Sequence, residues 1–209
     1  MHRTAAAMAH TLLLWDLGNV LVRVDPVRAC LAATGGDWRA AATLVDAVVD
    51  SPAHDAFESG RLDAPGFHRA LLEAGLIHLD YPAFAHLWTD MFTLDEAALA
   101  LLATVARHRR CWLLSNTDPL HYPWITGRWP IGDHLAGATL SFQVGARKPD
   151  AAIFRAALAA AGVAPAAAAF IDDRPAHIDA ARALGIDAVV YTGAPELKQW
   201  LEAAGDLSE

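Results

Sequence analysis

Five short apolar runs set the frame of this chain: TLLLWD at 11–16, CWLLSN at 111–116, ATLSF at 138–142, AAFIDD at 168–173 and DAVVY at 187–191. None alternates apolar with polar residues, as a strand with one wet face would. Such runs fit strands covered by helices on both sides of a parallel sheet. Between them apolar residues recur at helical spacing. Leu99, Leu102 and Val105 form one stripe in 95–108, and Ile153, Ala157 and Leu158 another in 149–161. Alternating strands and helices predict an α/β fold with a doubly wound, mainly parallel sheet, which binds ligands outside the carboxyl ends of its strands.

One interval breaks the alternation. From 25 to 92 only helical patterns occur, over 27–33, 38–49, 64–74 and 81–92, with turn signals at Gly35-Gly36, Ser51-Pro52, Gly60 and Gly75. This is too much helix for one crossover. The expectation is a core of residues 11–24 and 93–209, with 25–92 inserted as a small helical cap over the ligand end of the sheet.

Composition narrows the partners. Of the 209 residues 55% are hydrophobic, yet no apolar run reaches the roughly 20 residues that span a bilayer. The formal charge of −8 argues against nucleic acid and anionic membrane, since both demand a basic face. Cys30 and Cys111 fit no zinc or redox spacing, and so low a cysteine content points to a reducing cytoplasm. The opening MHRTAAAMAHTLLLW resembles a signal peptide weakly, but its apolar stretch runs into the first core strand. Residues 1–10 are therefore read as a disordered lead-in. The sequence leaves monomer and homodimer equally open.

Polar groups gather where the strands end. Asp16 closes the first run, and a carboxylate there can attack phosphorus, splitting one difficult displacement into two easier ones. Ser115 and Asn116 close the second, placed to hold phosphate oxygens. Lys148, in GARKPD, precedes a helix that Pro149 can open, and its ammonium would offset the repulsion between a carboxylate and a phosphate dianion. Asp172 and Asp173 repel each other at a buried strand end unless a cation intervenes, and hard oxygen ligands suit Mg²⁺. Each feature alone has a plainer reading: an Asp-x-Gly turn, an SNTD helix cap, a solvated lysine, and Asp173 capping the helix over 175–183. Their convergence on one sheet edge carries the functional signal.

In this order the segments WDLGNVL, LLSN, GARKPD and FIDDRPAHI resemble the four motifs of the haloacid dehalogenase superfamily. The resemblance runs from Leu12 to Tyr191, and FESGRLDAPGFHRAL resembles the helical caps of that superfamily. It implies a phosphatase acting on a small phosphorylated metabolite. It makes Asp16 the nucleophile and a magnesium ligand, with the Gly18 carbonyl as a second ligand. Asp173 would bind the metal directly, and Asp172 directly or through water. Ser115, Asn116 and Lys148 would hold the phosphate.

One position departs from that pattern. Most phosphatases of the superfamily carry a second Asp, a general acid and base, where this chain has Gly18. DLGNV and SNTDPLH resemble a bacterial subgroup that includes α-D-glucose-1-phosphate phosphatases. A missing proton donor favours good leaving groups such as sugar 1-phosphates, acyl phosphates or aryl phosphates; His121 is a candidate replacement donor. Arg61, Trp88 and Trp124 are candidates to face the substrate. Two rival readings are a metal-independent 2-haloacid dehalogenase, disfavoured by the paired carboxylates, and a catalytically weakened binding or regulatory protein of the same fold.

Overall fold

The structure, a computed structural model, describes residues 9–31 and 33–207. Five strands form one parallel sheet: β1 (Leu12–Trp15), β4 (Arg110–Ser115), β5 (Ala138–Leu140), β6 (Ala168–Asp172) and β7 (Asp187–Val190), in the order β5-β4-β1-β6-β7. All five apolar runs thus become strands of the predicted doubly wound α/β fold. Alternate side chains of β1 explain its unbroken apolarity. Leu13 and Trp15 join one buried cluster with Leu102, Leu113 and Ile171. Leu12 and Leu14 join another with Phe154, Phe170 and Ile178 on the opposite face. The first face is covered by α6 (Glu96–Val105) and α11 (Ala194–Ala203), the second by α9 (Ala151–Ala161) and α10 (Pro175–Ala183).

The strand order places a topological switch at β1. The chain moves from β1 to β4 and β5, then returns to β6 and β7 on the other side. The carboxyl ends of β4, β1 and β6 therefore lie side by side, and the crevice between departing connections opens there.

Among its described residues the insert holds five helices: α1 (Pro26–Cys30), α2 (Trp38–Val49), α3 (Pro52–Glu58), α4 (Ala64–Glu73) and α5 (Tyr81–Thr89). They share their own core of Val48, Phe57, Phe67, Leu71, Phe84 and Trp88. The helix α3 replaces an expected turn. Ser51 accepts from the His54 N–H and Pro52 occupies the first turn, so the Ser-Pro pair starts a helix rather than interrupting one. The insert is flanked by a second small sheet that periodicity did not indicate, formed by β2 (Val22–Val24) and antiparallel β3 (Phe92–Leu94). Phe92, expected in a helix, is a strand residue.

Three local expectations change. The helix after Lys148 begins at Ala151, capped by Asp150, so Pro149 stands before the helix rather than in its first turn. The ATLSF strand ends at Leu140, and Ser141 opens the short helix α8 (Ser141–Val144). Of the lead-in, residues 1–8 lie outside the described residues. His10, by contrast, is anchored, its N–H donating to Asp206 Oδ1 at 2.7 Å and its Nδ1 lying 2.6 Å from Asp206 Oδ2. Among the described residues no helix is long and apolar enough to cross a membrane.

Candidate active site

Asp16 follows β1 directly, its N–H donating to the Ile171 carbonyl at 2.9 Å, which ties it to β6. Ser115 and Asp172 are the last residues of the two neighbouring strands. Adjacent strand ends thus bring together residues about a hundred positions apart. Lys148 links them: its fully buried Nζ lies 2.6 Å from Asp16 Oδ1 and 2.7 Å from Asp172 Oδ2.

The two carboxylates respond differently to this shared ammonium. Burial pushes the Asp16 carboxyl up to about 7; the Lys148 charge opposes that and the Asp172 charge adds to it. Burial pushes Asp172 the same way, but hydrogen bonds from His177 and Lys148 outweigh it and hold this carboxyl below the ordinary carboxylate range. Both Asp172 oxygens are engaged. Oδ1 accepts from the Arg174 N–H at 2.8 Å, Oδ2 accepts from Lys148, and His177 Nδ1 lies 2.9 and 3.0 Å from the pair. Asp172, not Asp173, therefore meets the Arg174 amide just before α10, and no side chain caps that helix. Asp173 makes no hydrogen bond or ion pair among the described residues.

One oxygen each from Asp16, Asp172 and Asp173 lie within 4.8 Å of one another. Three carboxylates face one ammonium here, and a hard divalent cation is the group such a donor set suits. Among the described residues Asp173 makes no competing contact, whereas both Asp172 oxygens already accept from protein donors. Gly18 lies two residues beyond Asp16 at the same edge, bridged to Val22.

Asn116 is placed at the site, but its side chain is occupied. Its Nδ2 donates to the Lys148 carbonyl at 3.0 Å and its Oδ1 accepts the Lys148 N–H at 2.7 Å, a two-way clamp on the lysine backbone. Ser115 Oγ makes one long hydrogen bond, 3.3 Å to the Asn116 carbonyl. His121 lines the same cavity with both ring nitrogens engaged: Nε2 is 2.8 Å from the Trp88 carbonyl and Nδ1 2.8 Å from Asp118 Oδ2. Trp88 also lines the cavity, whereas Arg61 and Trp124 do not.

Sequence reasoning missed the residues that join insert to core. Asp118 is fully buried. Besides His121 it accepts from Trp88 Nε1 at 3.0 Å and from the Leu120 and His121 N–H groups at 2.8 Å each. It thereby fixes the start of α7 (His121–Arg128) and one insert helix together. Arg147, next to Lys148, reaches Asp55 at 2.8 Å and Glu58 at 2.5 Å. Gly60 packs so closely that a Cβ would lie 2.0 Å from the Phe142 carbonyl oxygen, and its φ of +68° also calls for glycine. The ESG spelling in FESGRL was the available signal.

Asp118→Ala should therefore lower stability by about 3–5 kcal/mol, because four donors, the Trp88 indole among them, lose their acceptor. Denaturant unfolding measures this directly. Hydrogen bonds and the His121 charge overcome burial to hold the Asp118 carboxyl below its ordinary value. A depressed carboxyl stabilises above its unfolded value, so the gap between wild type and variant should close as pH falls below about 4.

The sequence profile of the haloacid dehalogenase-like hydrolases matches residues 10–185. The chain belongs to this family. A D-ribitol-5-phosphate phosphatase from Bacteroides thetaiotaomicron is 26% identical over 183 residues, 84% of this chain and 88% of that protein. A haloacid dehalogenase-family enzyme from the same organism, solved with magnesium and inorganic phosphate, superposes with a TM-score of 0.75. It is 23% identical, over 87% of this chain and 94% of the other. An L-2-haloacid dehalogenase from Xanthobacter autotrophicus superposes at 0.66 with 17% identity, over 93% and 83%. At these identities the superpositions speak for the fold alone.

Proposed function

We propose that the protein is a magnesium-dependent phosphatase that hydrolyses a small phosphate monoester through an aspartyl-phosphate on Asp16. The observation that carries this reading is the buried Lys148 ammonium bridging Asp16 and Asp172, with Asp173 unpaired beside them. The named relative's activity on a phosphate monoester supports the same class. Residues 25–92 act as the cap in this reading, over a core of 11–24 and 93–209.

The residues divide the work. Asp16 attacks phosphorus with one carboxylate oxygen, and the ester P–O bond breaks as its electron pair leaves with the alcohol oxygen. Water then attacks the aspartyl-phosphate at phosphorus, releasing inorganic phosphate and restoring the carboxylate. Lys148 and Ser115 hold the phosphoryl oxygens, and Asn116 positions Lys148 through its backbone clamp. Asp16, the Gly18 carbonyl and Asp173 would hold Mg²⁺, with Asp172 reaching it through water. Bound there, the ion supplies positive charge that stabilises the phosphoryl group in the transition state.

Gly18 leaves this edge without the second Asp that would protonate the leaving oxygen, and both His121 nitrogens are spoken for. The leaving group must then depart with little proton assistance. This favours sugar 1-phosphates, acyl phosphates and aryl phosphates over ordinary alkyl phosphates, and agrees with the DLGNV resemblance to glucose-1-phosphate phosphatases. The decisive assay is phosphate release from glucose 1-phosphate, glucose 6-phosphate, acetyl phosphate and an aryl phosphate, with Mg²⁺ and with chelator. Release only with Mg²⁺ is expected. Release from none would favour the binding-protein reading, and chelator-insensitive halide release from a 2-haloacid would favour the dehalogenase.

Gly18→Asp tests the leaving-group argument. A Cβ at Gly18 meets only Val24 Cγ2, at 3.3 Å, so the backbone can carry a side chain there with a small shift of Val24. The substitution should raise glucose 6-phosphate turnover by about 10²-fold, the lower end of general acid catalysis, and glucose 1-phosphate turnover far less. Equal gains on both would overturn the argument.

A further inference from the structure

The site opens into a cavity of about 520 Å³ that extends from Asp16, Ser115 and Lys148 into the helical insert. This volume is within the range of small-molecule sites, about 300–1,000 Å³. The insert's contribution to its wall is unlike a site for a sugar or polyol. Among the described residues, every lining residue between Pro26 and Met91 is apolar or Cys30, except His54, Glu58 and His78. Val45 and Val48 of α2 form one wall, Ile77 and Leu79 of the α4–α5 connection another, and Phe84 and Trp88 a third.

The polar groups are few and cluster on one side: Glu58 pairs with Arg147 at 2.5 Å, and the buried His54 Nδ1, Glu58 Oε2 and Arg147 Nε make no hydrogen bond. His54 packs edge-on against Trp88, with ring centroids 5.9 Å apart, and His78 is exposed. Trp88 turns its one donor to Asp118. The aromatic wall is set in advance by mutual packing: Trp88 stacks on His121 at 5.0 Å and on Phe84 at 5.8 Å, and Phe92 meets His121 edge-on at 4.7 Å. Away from His54, Glu58 and Arg147, a polyol in this space would bury hydroxyls against apolar wall, at roughly 10-fold in affinity or more for each unpaired one.

Building on the phosphatase reading above, we infer that the alcohol half of the substrate is an apolar aromatic group, making the substrate an aryl phosphate monoester. Two independent features agree on it. The walls from α2, the α4–α5 connection and α5 disfavour hydroxyl-rich groups and offer flat aromatic contact. Gly18 supplies no proton, and an aryl oxide departs without one. The phosphate end sits at Lys148 and Ser115, and the ring extends between α2 and α5.

The test compares kcat/KM for 2-naphthyl phosphate, its sulfonated analogue of similar leaving-group acidity, glucose 1-phosphate and acetyl phosphate, all with Mg²⁺. The wild type should prefer 2-naphthyl phosphate to the sulfonated analogue and to glucose 1-phosphate by at least about 10-fold. Ile77→Asn, on a partly buried connection rather than inside a helix, should lower the ratio of naphthyl to acetyl phosphate turnover by about 10-fold. Leu79→Asn repeats the test should that variant fold poorly. Chelator-sensitive turnover in which glucose 1-phosphate or the sulfonated analogue equals 2-naphthyl phosphate would overturn the aromatic assignment and leave the phosphatase standing. Release from no ester would overturn the phosphatase, and calorimetry then decides the cavity. Naphthylmethylphosphonate binding at least 10-fold more tightly than methylphosphonate would support the apolar site, and equal binding would overturn it.

Discussion

Asp16→Asn is expected to reduce phosphate release by about 10⁴-fold or more, the scale of loss when a covalent nucleophile is removed. The amide matches the carboxylate in shape, so the fold is retained. What disappears is the proposed attacking oxygen and one negative charge beside Lys148. The variant should also be more stable than wild type in chelator, because it removes one of three carboxylates that share a single ammonium. Activity and thermal unfolding measured together separate this outcome from misfolding. A variant that keeps even a tenth of wild-type turnover would show that Asp16 does not carry the phosphoryl group.

What made Asp16 legible was its strand. An apolar run buried on both faces is the strongest signal a parallel sheet leaves in a sequence, and Leu12 to Trp15 show it without interruption. The same holds for the runs that end at Ser115 and Asp172, so the convergence of their polar ends followed from topology. The motifs then located Lys148, which no periodicity marks. The second sheet was hidden because Val22–Val24 and Phe92–Leu94 are three residues each, too short to show a period. Helix α3 was hidden because Ser51-Pro52 serves equally as turn and as helix start. Partnerships were the least visible. Asn116 is a motif residue, but only the structure shows that both ends of its amide are used on the Lys148 backbone. Asp118 looks like a helix cap in sequence, and it is one, yet it also binds Trp88 from thirty residues earlier. Long-range pairing of this kind depends on where the insert lands on the core, which local pattern does not encode.

Lys148→Met should destabilise the metal-free protein by about 3–5 kcal/mol, or roughly 10 °C in melting temperature for a chain of this size. The side chain is fully buried and makes both ion pairs that neutralise the site. Methionine fills a similar volume without charge, leaving Asp16, Asp172 and Asp173 with no ammonium among them. Turnover should fall by about 10³-fold with the loss of a phosphate-binding cation. The pH dependence gives the sharper signature. The Asp16 carboxyl is already raised to about 7 in the metal-free wild type, above its unfolded value of 3.8. A carboxyl raised in the fold binds its proton more tightly there, so its effect is to lower stability as pH rises between about 4 and 7. Removing Lys148 raises that carboxyl further. The gap between variant and wild type should therefore stay nearly level between about pH 5 and 6 and widen as pH rises past about 7 in chelator. If Mg²⁺ binds the native carboxylates as proposed, it should narrow the gap, with a larger melting shift for the variant than for the wild type. A gap that stays constant across pH and ignores Mg²⁺ would mean that Lys148 stabilises by packing, and that the carboxylates are not the charges it balances.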